Sequence, residues 1–157
     1  MPKITPWLWF DMNAQEAAEY YITVFPNSRI LNVTHYPEGT PVPAGTVLTV
    51  DFELDGTLFG GLNGGPQFRF SEAVSFSIDC RDQDEVDHYW NALTADGGEE
   101  SQCGWLKDRF GVSWQVVPRR LTELMSDPDP EVVGRVSDAL MKMRRIEVPV
   151  LEAAARG

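Results

Sequence analysis

The sequence is short of the residues that most often announce a chemistry. It has two cysteines, which make no disulfide framework and leave a reduced, cytoplasmic protein as the expectation. It has two histidines, His35 and His88. Lysine and arginine number 13 against 24 aspartates and glutamates, for a formal net charge of −11. That balance excludes general binding to nucleic acid or to anionic membranes, because those partners need clustered basic residues. No run approaches the roughly 18 apolar residues of a membrane span. The opening M-P-K-I-T-P runs straight into a strand pattern, so no signal peptide is expected. What is present is ordinary: 157 residues, 43% hydrophobic and 24% charged, enough for one domain with a core or two small modules sharing one.

The most informative stretch is Cys103 to Pro118, C-G-W-L-K-D-R-F-G-V-S-W-Q-V-V-P. Two apolar-rich runs, Trp105–Lys107 and Val112–Val117, are joined by Asp108-Arg109-Phe110-Gly111. An Asp opens the turn and a Gly can take the positive φ that closes it, which is the grammar of a hairpin. Val112, Trp114 and Val116 alternate with Ser113, Gln115 and Val117. One face can therefore pack on helices while the other lines something wetter.

Upstream, Ile4–Asp11 reads as a strand, followed by a helix Ala14–Phe25 with Asn13 as N-cap and Glu16 as its capping-box partner. Strands follow at Ile30–Tyr36, Thr46–Leu54 and Thr57–Leu62, the last two joined at Asp55-Gly56. The Pro/Gly-rich loop between Tyr36 and Thr46 is either a surface connection or a pocket lid. After Asn63-Gly64-Gly65-Pro66 the order restarts. It runs through a strand Val74–Cys80, an N-cap at Asp82 with Glu85, a helix Gln83–Leu93, a strand Glu99–Gln102 and then the hairpin. Asp82 follows Asn13 by 69 residues, as Glu85 follows Glu16. This is a degenerate repeat of strand, helix and three strands. The organisation expected is a first module over 1–66, a second over 67–118 and a helical extension over 119–157, in one globular unit.

The extension reads as helices at Thr122–Met125, Pro130–Met143 and Val148–Arg156. Val133, Val136, Leu140 and Met143 form an apolar stripe that covers either its own chain or a partner subunit. Open curved sheets expose edge strands, and pairing subunits would cover them, so a homodimer is expected.

Three separated motifs, D-R-F-G-V-S-W-Q, I-T-P-W-L-W-F-D-M-N-A-Q-E-A and A-V-S-F-S-I-D-C, resemble the PhnB-like, or 3-demethylubiquinone-9 3-methyltransferase-like, family. That family belongs to the vicinal oxygen chelate superfamily, with the glyoxalase and bleomycin-resistance proteins. The resemblance implies an α+β fold of paired βαβββ modules in a curved, mostly antiparallel sheet, and the repeat agrees with it. It implies less about function, since that superfamily holds isomerases, dioxygenases, transferases and binding proteins.

In metal-dependent members of the superfamily, ligands stand on the first and last strand of each module. Here those positions fall at Thr5 or Pro6, near Gly60, at Ser75 and at Gln115. None is His, Asp, Glu or Cys, so no metal and no other cofactor is expected there. The family label also implies a methyl donor, which usually needs a glycine-rich turn between a strand and a helix. The G-G-L-N-G-G cluster from Gly60 to Gly65 instead ends a strand before an irregular loop.

Two residues are candidates for catalysis. Cys103 shares strand parity with Trp105 and Lys107, whose charge would favour thiolate, or else it is a small hydrophobe. His35 lies late in a strand and could serve as an acid or base at a pocket mouth, or be structural. What remains is an aromatic-lined hollow. If Leu8 and Phe10 pack on the first helix, Trp7 and Trp9 face the open side, with Ser75, Ser77, Trp105 and Gln115. The 69-residue offset conflicts with this parity, because it sets Trp7 against Phe76. Aromatic walls with a few hydroxyl and amide groups fit a small organic molecule, uncharged or weakly cationic. The same residues would also fill a dry concavity or a subunit seam. The expected function is metal-free small-molecule binding. The alternative is an enzyme, a lyase, dioxygenase or transferase on a small organic or quinone-like substrate, including the methyltransferase of the family label.

Overall fold

The computed structural model describes residues 2–157, which form two compact units dividing after Phe70. In the first unit, β1 (Trp7–Phe10) leads into α1 (Ala14–Val24) and then β2 (Arg29–His35), β3 (Val47–Leu54) and β4 (Thr57–Asn63). The sheet order is β1-β4-β3-β2, with β1 parallel to β4 and the other pairs antiparallel. The parallel pair is possible because the intervening helix and hairpin provide a long crossover. Ala14, Ala17, Ala18, Tyr21 and Val24 of α1 are buried against one sheet face, together with Leu8, Phe10, Val50, Phe52 and Phe59. At the β3–β4 turn Asp55 and Gly56 take φ of 45° and 84°, the left-handed pair that a tight hairpin needs.

The second unit repeats the plan. It contains β5 (Phe76–Cys80), α2 (Gln83–Thr94), a 3-10 turn at Ala95–Gly97, β6 (Glu99–Glu100), β7 (Trp105–Lys107) and β8 (Ser113–Pro118). Its sheet order is β5-β8-β7-β6, with β5 parallel to β8. Three helices follow: α3 (Arg119–Met125), α4 (Pro130–Leu140) and α5 (Val148–Arg156). They enclose a core of Leu124, Val136, Met143, Ile146 and Leu151. Of the expected stripe, Val136, Leu140 and Met143 pack within their own chain, Val132 joins them in place of Val133, and α4 ends at Leu140, short of Met143. Arg120 ion-pairs with Glu152, and Arg135 donates to the carbonyls of Ala154 and Ala155 at the end of α5.

The two helix starts differ from each other and, for α1, from expectation. Asp82 accepts from Glu85 N at 3.0 Å, while Glu85 accepts from Arg81 N at 2.7 Å, close to a capping box. Asn13 makes no side-chain cap. The buried Asn63, at the end of β4, accepts instead from Ala14 N at 2.8 Å and donates to Val47 O at 3.0 Å. Asn13 still holds the N-cap position, its carbonyl accepting from Ala17 N at 3.0 Å, but its side chain does not cap. The turn before it has one residue more than its counterpart before α2, with Met12 in the left-handed region at φ 65°. The same extra residue resolves the offset. Phe10 and Leu8 correspond to Cys80 and Ile78, each 70 residues on and each packed on its helix, so Trp7 matches Ser77 and not Phe76.

The C-terminal arm is held at two joints. Cys103 N and Gly104 N donate to the carbonyls of Met143 and Arg144 at 2.9 and 2.8 Å. Gln83 donates to Ile146 O and accepts from Val148 N. Gly104 sits at φ 86°, where an added Cβ would meet Ile146 at 2.7 Å and the Val116 carbonyl at 3.0 Å. Only glycine suits both the backbone angle and the contact.

Candidate functional site

In each unit the sheet face away from the helix carries the candidate residues, and the alternation of the strands places them there. In the first unit, Leu8 and Phe10 are buried, and Trp7 and Trp9 take the opposite face. Trp7 pairs in register with Gly60, and Trp9 with Leu62. The glycines are the reason the indoles lie where they do. A Cβ on Gly60 would stand 2.4 Å from the Trp7 ring, and one on Gly64 would stand 2.3 Å from the Trp9 ring. Trp9 is further fixed by its indole N–H, which donates to Gly65 O at 2.9 Å, and by an edge-on contact with Phe68. Trp7 remains 53% exposed.

In the second unit Ser77, Gln115 and Trp105 form one cross-strand row, and Lys107 with Ser113 forms the next. Gln115 donates through Nε2 to Ser75 Oγ at 2.9 Å. Asp108, buried, organises the hairpin beneath: its carboxylate accepts from Phe110 N, Val112 N and Trp114 Nε1. Beside Trp105 lies an open recess of about 240 Å³ that includes Glu72, Glu99, Lys107 and Ser113. Of the sequence candidates it contains only Trp105. The six pocket candidates divide between the units: Trp7 and Trp9 in the first, Ser75, Ser77, Trp105 and Gln115 in the second.

The catalytic candidates fare differently. Cys103 does not continue the strand with Trp105 and Lys107. It occupies a left-handed turn, φ 58°, with its Sγ 3.8 Å from Met141 Sδ, because its backbone is needed to dock the arm. His35 ends the edge strand β2, exposed, next to a register irregularity. Cys80 is buried, and burial with nearby Glu85 and Asp79 pushes its thiol up to about 12, so it stays protonated at neutral pH.

A metal ion does not fit the residues at the expected positions. Register makes Gly60, opposite Trp7, the counterpart of Gln115, opposite Ser77. Gly60 has no side chain and Trp7 covers it, while Gln115 gives its amide nitrogen to Ser75. Among the described residues no three His, Cys, Asp or Glu side chains gather to hold a metal. The Gly60–Gly65 cluster does not fit a methyl donor either, since Gly60 and Gly64 make room for indole rings and no helix follows.

Sequence reasoning missed Asn63, Glu72 and Ser113. Ser113 was legible, because it alternates onto the face of Gln115, whereas Glu72 meets Lys107 from an irregular loop that carries no pattern.

Residues 2–117 match the profile of the 3-demethylubiquinone-9 3-methyltransferase family, which ends before α3. Among solved structures, a PhnB protein from Bacillus cereus described as a 3-demethylubiquinone-9 3-methyltransferase is 31% identical. The match covers 74% of this chain and 99% of that one, with a TM-score of 0.68. A protein from Pseudomonas aeruginosa is 21% identical over 75% of this chain and 98% of its own, with a TM-score of 0.61. A glyoxalase/bleomycin resistance protein from Albidiferax ferrireducens is 11% identical over 75% of this chain and 99% of its own, with a TM-score of 0.49. No curated protein matches the chain.

Proposed function

The chain belongs to the 3-demethylubiquinone-9 3-methyltransferase family, and from that membership we propose that it is a small-molecule-binding protein that works without a metal at the position its metal-dependent relatives use. The observation that carries this reading is the Gln115–Ser75 hydrogen bond at 2.9 Å. Two positions that would present anionic or imidazole ligands present a neutral amide and a hydroxyl bonded to each other. Such groups recognise a polar, uncharged or weakly cationic organic molecule, and the half-buried Trp105 in the same row offers it an apolar face. Ser77 adds a hydroxyl to the row, and Trp7 and Trp9 give the first unit's open face its aromatic character.

The test is a fluorescence screen against small aromatics and quinones, with and without a chelator. Saturable quenching that survives the chelator, weakens in Ser75→Val and disappears in Trp105→Leu is the expected result. If nothing binds and Ser75→Val raises the melting temperature, the face is packing surface and the reading fails. The methyl transfer in the name of the Bacillus cereus protein is the rival reading. The indoles seated on the glycine cluster argue against it, and calorimetry with S-adenosylmethionine is expected to show no heat of binding.

The reading extends to a homodimer, supported by the edge strands at both ends of each four-stranded sheet. Light scattering should then give twice the 17.6 kDa chain mass. A cytoplasmic setting is supported by two free cysteines and by the absence, among the described residues, of a helix long and apolar enough to cross a membrane.

A further inference from the structure

We infer that the recess beside β6 and β7 binds a small organic cation, a primary ammonium or guanidinium carried on an apolar body. This deepens the ligand-binding reading and rests on it, since Trp105 serves both. The recess of about 240 Å³ is lined in part by Glu72, Glu99, Glu100, Trp105, Lys107 and Ser113. Three of these are carboxylates and one is an ammonium. Lys107 is already committed, ion-paired with Glu72 and opposite Glu99 in the β6–β7 register. Glu100 accepts from Trp90 Nε1 at 2.8 Å and ion-pairs with Arg144 at 3.6 Å. The balance around the recess stays negative and repels an anion.

Acidic residues alone would be a solvated face, but Ser113 adds an independent feature. It is 2% exposed, and its hydroxyl has no hydrogen-bond partner. Its pairing with Lys107 and its alternation with Trp114 put that hydroxyl on the face that forms the recess. Buried polar groups are nearly always satisfied, so an orphaned hydroxyl in a pocket wall marks where a ligand group belongs. A ligand N–H can donate to it. Trp105, half-buried in the same wall, offers a cation the negative face of its ring and an apolar body a surface to lie on. Negative charge, a π-face and a free acceptor together select a cationic N–H donor over a neutral or anionic molecule of the same shape. The volume, below the roughly 300 Å³ of ordinary ligand pockets, sets the size at a single ring with a short arm.

The experiment titrates the full chain, by calorimetry up to millimolar concentration, with benzylammonium, benzyltrimethylammonium, benzyl alcohol and benzoate. Benzylammonium should bind about tenfold more tightly than benzyl alcohol, and added salt should weaken it. Glu99→Gln, at an exposed position, should remove that preference. Ser113→Ala should weaken benzylammonium several-fold and leave benzyltrimethylammonium, which has no N–H, unchanged. Its melting temperature checks that it folds. If the alcohol binds as well as the ammonium and Glu99→Gln changes neither, the cation inference is wrong while ligand binding at Trp105 stands. If none of the four binds and the wider aromatic screen is also empty, both readings fall.

Discussion

The first module covers the open face of its last strand with aromatic rings, where the second presents hydrogen-bonding side chains. At matched positions Gly60 lies under Trp7, whereas Gln115 reaches Ser75. Their helices also begin differently, one on Asn63 from a distant strand and the other on a local Asp82 and Glu85 box. Their hairpins contrast too, a bare Asp55-Gly56 turn against four residues built around the buried Asp108. A common βαβββ frame therefore fixes where strands and helices go, and leaves the open face free to be either sealed by aromatics or kept polar. Hydrogen-bonding side chains on the open face are concentrated in the second module, which is also the one buttressed by extra helices.

The hairpins offer the sharpest way to break this comparison. Asp108→Ala strands two backbone N–H groups and the Trp114 indole N–H in a buried place. The expected loss is about 3–5 kcal/mol, read as a shift in denaturant midpoint, with altered Trp114 fluorescence. Asp108→Asn should cost less, since its remaining oxygen can still accept from Phe110 and Val112. The exposed Asp55→Ala in the other turn should cost below about 1 kcal/mol, mainly from its left-handed backbone. Equal losses at the two turns would mean that the modules are stabilised alike.

Three glycines test the same contrast at smaller amplitude. Gly104→Ala forces a side chain into the left-handed region and against the backbone carbonyl of Val116, an atom that cannot swing away. About 2–3 kcal/mol is expected, with early loss of the C-terminal helices in hydrogen exchange. Gly64→Ala meets the Trp9 ring, which its hydrogen bond to Gly65 restrains, and should cost about 1–2 kcal/mol. Gly60→Ala meets only the exposed Trp7, whose ring can move, and should cost below about 1 kcal/mol. An inverted order would mean that Trp7 is held as firmly as the arm.

Much of this was legible beforehand because strand alternation and cap spacing are local signals. The parity of Leu8 and Phe10 placed Trp7 and Trp9 on the open face, and D-R-F-G announced its turn. What escaped depends on single insertions and on loops. The extra residue before α1 leaves no mark in composition, so Trp7 looked aligned with Phe76, and nothing local shows that Asn63 takes the N–H of Ala14 while the N-cap residue Asn13 makes no side-chain bond. Cys103 resembled a strand residue because nothing local shows that its N–H serves a segment 40 residues away. The recess pairs β7 with Glu72, which lies in a stretch without periodicity.

The smallest effect expected concerns acid stability, and it too separates the modules. Two carboxyls held below the usual carboxylate range, Glu72 beside Lys107 and Glu152 beside Arg120, lie in the second unit. Hydrogen bonding to the cation is the leading cause in each. A group whose folded pKa is depressed contributes stability that is present above its unfolded value, about 4.3, and lost as pH falls through the folded value. Each pair is solvent-facing, so screening keeps its contribution small at neutral pH. Glu152→Gln should therefore leave stability at pH 7 almost unchanged and flatten its decline below about pH 4. The C-terminal helices, which that pair joins to α3, should be the first segment to lose protection in wild type as the solution is acidified. A steeper acid decline in Glu152→Gln, or first loss of protection in the first module, would show that the arm is secured by its apolar core of Leu124, Val136 and Leu151 rather than by its charges.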